Sequence, residues 1–168
     1  LYTRDTQSDR KAFLTHIAVL KNQPHVLKFL LENGACTAAI GGLISGGKDT
    51  LEYASIANDP VMVRIIIENE LKSFCSKSRL QTLFLKSVQH GLSDLIICLE
   101  ERGAKKDNFS DDGWKMPHAA AAGGQTQILI DLQRDGSDIF IKTLTRDPDG
   151  CEYDGDTPLE IATTYKKI

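Results

Sequence analysis

A recurring interval constrains this chain more than any single motif does. In "THIAVLKNQPHVLKFLLENGA" (15–35), His16 is followed by Asn22 six residues on and by Gly34 twelve further. In "PHAAAAGGQTQILIDLQRDGS" (117–137), His118, Gly124 and Gly136 stand at the same offsets. "EYASIANDPVMVRIIIENEL" carries Glu52, Asn58 and Glu70 there, and "LKSVQHGLSDLIICLEERGA" carries Leu85, Gly91 and Gly103. Taking the first residue of each trio as an anchor, the anchors lie at 16, 52, 85 and 118, and Glu160 of "DGDTPLEIA" begins a fifth unit. The steps are 36, 33, 33 and 42 residues. Self-similarity at a period of this size signals a stack of small supersecondary units, none of which can bury its apolar face alone.

Each unit reads as a short helix, a tight turn and a second helix rich in aliphatics. Val26, Leu27, Leu30 and Leu31 follow the one-face spacing of an amphipathic helix, as do Leu95, Ile96 and Leu99. Gly34, Gly103 and Gly136 stand just past the second helices, where a left-handed cap favours glycine. The second unit ends in Glu70-Leu71 instead, which predicts an irregular exit. Two connections are long. Residues 36–49 carry three residues more than the shortest spacing, and 138–156 carry nine more, read as an extended hairpin with "IFIKTL" as one arm.

These units resemble the ankyrin-repeat family, whose repeat reads roughly D-x-x-G-x-T-P-L-H-x-A-A-x-x-G-x-x-x-[VI]-[VI]-x-x-L-L-x-x-G-A. "THIA…VLKFLLENGA" and "DGDTPLEIA" are the best matches, and the likeness runs through nearly the whole chain. Only the first and fourth units keep the histidine, and only the fifth keeps the adjacent Thr157 and Pro158. The resemblance implies an all-α repeat solenoid, its helix-turn-helix units joined by β-hairpin-like loops. One domain then spans 1–168, with units at about 8–40, 44–76, 77–109, 110–142 and a partial 152–168, and a long inserted loop at 138–151. The family's histidine braces the turn network, so a structural role is implied for His16 and His118.

Composition leaves room for this reading and excludes others. The 168 residues are 41% hydrophobic and 26% charged, which suits a globular chain with a core. A formal net charge of −3 argues against a nucleic-acid binder, and no apolar run reaches membrane-spanning length. Cys36, Cys75, Cys98 and Cys151 are scattered, which fits a reducing compartment better than a disulfide framework. A cytoplasmic setting is expected, in a host cell if the chain is a bacterial effector. The opening at Leu1, without methionine, and the stop at "TTYKKI" suggest a piece of a longer protein.

Three stretches invite chemistry and lose it on inspection. "GLISGGKDT" (42–50) places Gly42, Gly47 and Lys48 as a phosphate loop does, but Asp49 stands where Ser or Thr would hold magnesium. "DPDGCEYDGD" (147–156) is acidic, yet neither possible start puts glycine sixth and glutamate twelfth as a calcium loop needs. No cysteine and histidine are spaced as paired ligands, and Cys98 falls within an apolar helix. The expectation is therefore no catalysis, no cofactor and no metal.

What the resemblance leaves for work is a concave face of hairpin tips and first helices, contacting another protein or a peptide segment. Carried over by register, the partner-binding positions are Arg10, Leu20, Lys21, Lys48, Ile56, Arg79, Gln81, Gln89, His90, Asp111, Asp112, Trp114, Tyr153, Asp154 and Asp156. Trp114, the only tryptophan, falls on a tip position that varies in the family. Two roles stand open for it: a binding anchor, since such a ring buries a large rigid area, or a filler packed over Met116 or the next hairpin. Basic positions fall in the first three units and acidic ones in the last two, so a partner segment of complementary polarity is expected. The domain is expected to be monomeric. A second expectation is a targeting segment of a larger enzyme or effector, with catalysis outside these residues.

Overall fold

The computed structural model describes residues 14–37, 49–73, 75–110, 113–146 and 152–165, with backbone alone for 145–146 and 152–154. Those residues form helices in pairs, plus one short two-stranded pairing. Residues 14–20 form α1. It is followed by α2 (Pro24–Glu32), α3 (Thr50–Ile56), α4 (Pro60–Glu70), α5 (Lys77–Gln89) and α6 (Ser93–Glu101). Then come α7 (Met116–Gly123), α8 (Thr126–Arg134), β1 (Leu144–Arg146), β2 (Glu152–Asp154) and α9 (Pro158–Thr164). The fold is all-α in class, and no helix among the described residues is long and apolar enough to cross a membrane. The chain divides into two compact units, Leu1–Cys75 and Ser76–Ile168, the break falling between the second and third repeats of the sequence.

The turn inside each helix pair is the same object four times. Asn22, Asn58, Gly91 and Gly124 all adopt positive φ, between 50° and 69°. These are the residues six past the anchors. In each, the N–H of the left-handed residue bonds back three residues and the next N–H bonds back five: Asn22 to Val19 and Gln23 to Ala18 in the first pair, Gly124 to Ala121 and Gln125 to Ala120 in the fourth. This double bond satisfies the last carbonyls of the first helix and aims the chain into the second. Asparagine tolerates the left-handed conformation better than most side chains, which is why it can replace glycine here.

Exits from the second helices use the same device at Gly34, Gly103 and Gly136, with φ of 77°, 103° and 81°. A Cβ at any of the three would meet nothing within 4 Å, so glycine is there for its backbone alone. The second pair lacks it. There α4 runs on to Glu70 and ends through a right-handed Leu71.

In the unit Leu1–Cys75, α2 packs beside α4 and α3 packs on α4. The first helices α1 and α3 also touch: the buried Thr15 and Thr50 hydroxyls lie 3.0 Å apart, and the His16 ring meets Tyr53 edge-on at 5.4 Å. Leu27, Leu31, Leu51, Met62, Val63, Ile66 and Ile67 fill this core. In the unit Ser76–Ile168, the first helices α5, α7 and α9 pack in sequence, with α6 on α5 and α8 on α7. Helix α7 is thin enough to sit inside, since Ala119 through Ala122 are all buried. Its last residue, Gly123, leaves no room for a side chain: a Cβ would fall 1.8 Å from the Gln89 carbonyl oxygen.

The connection after α8 differs from the expected hairpin. Strands β1 and β2 pair antiparallel, Leu144 opposite Asp154, so only the last residue of "IFIKTL" lies in a strand. Residues before it turn first, held by the Asp138 carboxylate accepting the Phe140 N–H at 2.9 Å. An antiparallel pair forms within the expected hairpin, but it starts later along the chain because a local side-chain bond to the backbone turns 138–140 first.

Candidate interaction surface

Of the two histidines expected to brace the fold, His118 does so at a helix start, and Glu52 and Glu160 act alike at the same register position. Asp49 caps α3, accepting the Glu52 N–H at 2.8 Å while the Glu52 carboxylate accepts the Asp49 N–H at 2.7 Å. Thr157 and Glu160 do the same for α9, with the Thr157 N–H reaching Glu160 at 2.7 Å. In α7 the His118 Nδ1 accepts the Lys115 N–H at 2.9 Å. Histidine and glutamate at one register position therefore do one job, which is to accept the N–H three residues upstream. Asp49, the residue that spoils the phosphate-loop pattern, is a helix cap; Gly42, Gly47 and Lys48 of that stretch lie outside the described residues. His118 is fully buried, and burial above all holds its imidazole below the ordinary value.

The fifteen positions carried over by register do not share one environment. Arg10, Lys48, Asp111 and Asp112 lie outside the described residues, as do the side chains of Tyr153 and Asp154. Leu20, Lys21, Ile56 and Asp156 are exposed; Arg79, His90 and Trp114 are half-buried. Two positions need correction. Gln81 is buried, donating through Nε2 to the Lys105 carbonyl at 2.8 Å and the Asn108 carbonyl at 3.2 Å, and accepting the Lys105 N–H at 3.2 Å. It braces the loop after α6. Gln89 is buried too, its Oε1 accepting from Lys86 Nζ at 3.3 Å and its backbone carbonyl pressed against Gly123. Register alone does not show which tip residues turn inward, because that depends on the length of the neighbouring loop.

Trp114 is half-buried. Its backbone is pinned to Ser110, whose N–H reaches the Trp114 carbonyl at 2.8 Å and whose hydroxyl accepts the Trp114 N–H at 3.2 Å. Its ring meets Tyr165 edge-on, with centroids 6.2 Å apart. Gly113 just before it has φ of 73° and its carbonyl accepts the Leu144 N–H. Tyr165 was not among the positions carried over, since it follows α9 and no tip signal marks it. Exposed Leu20 and Ile56 stand at the same place in two successive units, four past the anchor, with 55% and 63% of their surface open. Their neighbours Val19 and Ser55 are buried, and α1 also exposes Leu14 at its start.

Two cavities among the described residues are small. A cavity lined by Lys106, Lys115, Pro117, Leu132 and Ile141 holds about 60 Å³, and one lined by Lys28, Leu31, Ile65 and Asn69 about 70 Å³. Ligand pockets run to several hundred Å³. Among the described residues no group of three His, Cys, Asp or Glu side chains could hold a metal, and Cys36, Cys75 and Cys98 form no disulfide. The chain matches no model of a known family. It matches no curated protein either.

Proposed function

We propose that this chain is an ankyrin-type stack that docks another protein or peptide on its tips and first helices and carries out no catalysis itself. Support for the stack comes from the left-handed turn recurring at 22, 58, 91 and 124 with one hydrogen-bond pattern. The docking reading rests on Leu20 and Ile56, aliphatic residues more than half exposed at equivalent positions beside buried neighbours. Exposed aliphatics at matching places on successive repeats offer a partner regularly spaced apolar contacts. The half-buried Trp114, edge-on to Tyr165, supplies a rigid aromatic in the other unit.

The test is affinity capture with the intact chain, followed by mass spectrometry and titration of the recovered protein. Leu20→Ser with Ile56→Ser is expected to weaken that binding at least tenfold while leaving the melting temperature within about 2 °C. Unchanged affinity in a folded double variant defeats the reading.

A further inference from the structure

The His118 ring is engaged at both nitrogens. Nδ1 accepts the Lys115 N–H at 2.9 Å, and Nε2 lies 2.9 Å from the Ile141 carbonyl oxygen. A carbonyl only accepts, so Nε2 carries the proton and the ring is the neutral Nε2–H tautomer. The sole place for a second proton is Nδ1, which already faces an N–H. Protonation would set two donors against each other at 2.9 Å, inside a site with no exposed surface.

Several charges on the surrounding elements have partners of their own, and Asp107 and Lys142 also stand near the Ile141 segment. Lys86 on α5 bonds Gln89, Asp131 and Arg134 on α8 pair with each other, and Glu160 on α9 is held by Thr157. Asp138, in the connection, accepts from Phe140, and Lys106 pairs with Asp135. Lys115 itself lies close enough for its positive charge to oppose a second one on the ring.

Ile141 begins the segment that closes over the start of α7. Two residues on, the Thr143 N–H bonds the Asp156 carbonyl at 2.9 Å, and the Leu144 N–H bonds the Gly113 carbonyl at 2.9 Å. Gly113 precedes Trp114, and a Cβ on it would collide with the Leu144 carbonyl oxygen. We propose that His118 is an acid-sensitive latch: neutral, it holds residues 141–144 over the start of α7, and its protonation releases them and the Gly113–Trp114 turn while the helices stay folded.

Closed, the ring resists the proton; open, it titrates at the ordinary value of about 6.5. The open state therefore binds more protons between the closed value and about 6.5. Opening is independent of pH above that window, grows by up to about tenfold per pH unit within it, and levels off below the closed value.

Nitrogen-resolved NMR of the full chain and amide hydrogen exchange, corrected for intrinsic rates, test this. The expected ring is Nε2–H at pH 7.5, with its midpoint below 6.5. Protection of the Thr143 and Leu144 amides should fall up to about fivefold from pH 6.5 to 5.5, while the Leu83 amide in α5 keeps its own. Emission from the sole tryptophan should change in the same range. His118→Gln, which can donate and accept but not titrate, should flatten all three responses. An Nδ1–H ring, constant Leu144 protection, or Leu144 and Leu83 losing protection together overturns the latch. These wild-type readings decide the matter even where the variant misfolds.

Discussion

Gly123 shows most plainly how one residue sets the spacing of helices. With a Cβ due 1.8 Å from a backbone carbonyl, Gly123→Ala cannot be relieved by a side-chain rotation, and α7 must move off α5. The expected cost is roughly 2–3 kcal/mol, read as a shifted denaturant midpoint with unchanged slope. Ser55 points the other way. It is buried with a hydroxyl that has no hydrogen-bond partner, at the register place that Val19, Val88 and Ala121 fill with apolar groups. Ser55→Ala should raise stability by up to ~1 kcal/mol; a fall in melting temperature would reveal a bond the hydroxyl makes. A structural role for His118 was what the ankyrin-repeat resemblance implied. Its second bond, to Ile141 twenty-three residues on, was not legible, since nothing local marks the carbonyl it meets.

The turns inside the helix pairs were the most readable elements, because they are local: the left-handed residues at 22, 58, 91 and 124 follow from backbone chemistry that acts over a few residues. The caps at Asp49 and Thr157 act over the same range, although they are not among the expectations read from the sequence. The capping boxes make this testable. Asp49→Ala leaves the α3 start without its acceptor and should cost about 1 kcal/mol. Glu160 has its carboxyl held below the usual range by the Thr157 N–H first and the Thr157 hydroxyl second. The unfolded chain thus takes up the Glu160 proton first as acid is added. The contribution is complete above about pH 4.5 and is lost as pH falls through the folded value. Fraying of α9 in acid, followed by amide exchange, checks the sign. The strand expected from "IFIKTL" failed as a local reading because Asp138 bonds the Phe140 backbone and turns the chain first.

At the scale of the whole molecule, stability rests on aliphatic side chains buried at matching places of the second helices within each compact unit. Ile66, Leu99 and Leu132 stand at one register place and are all buried. Leu99→Ala should cost about 2–5 kcal/mol, and a change of slope in denaturant would show the two compact units coming apart in separate steps. The surface behaves differently. Of the charged positions expected to polarise it, Lys21 and Asp156 are exposed and Arg79 is half-buried. Trp114→Ala removes a ring packed on Tyr165 and should lower the melting temperature by only a few degrees while weakening partner binding. A collapse in stability would assign the ring to the core.

What the sequence by itself determined is the helix–turn–helix order, where each pair turns, and which faces are aliphatic. Those depend on φ preferences, caps and a 3.6-residue period, each of which acts within about ten residues. Only the tertiary structure decided that Gln81 and Gln89 turn inward, that Gly123 must be bare, and that Trp114 leans on Tyr165. Those outcomes depend on which loop or helix lies across from a residue, and the partners lie 24 to 51 positions away along the chain. Burial of a polar side chain or loss of a Cβ is a property of that meeting, with no local signal to announce it.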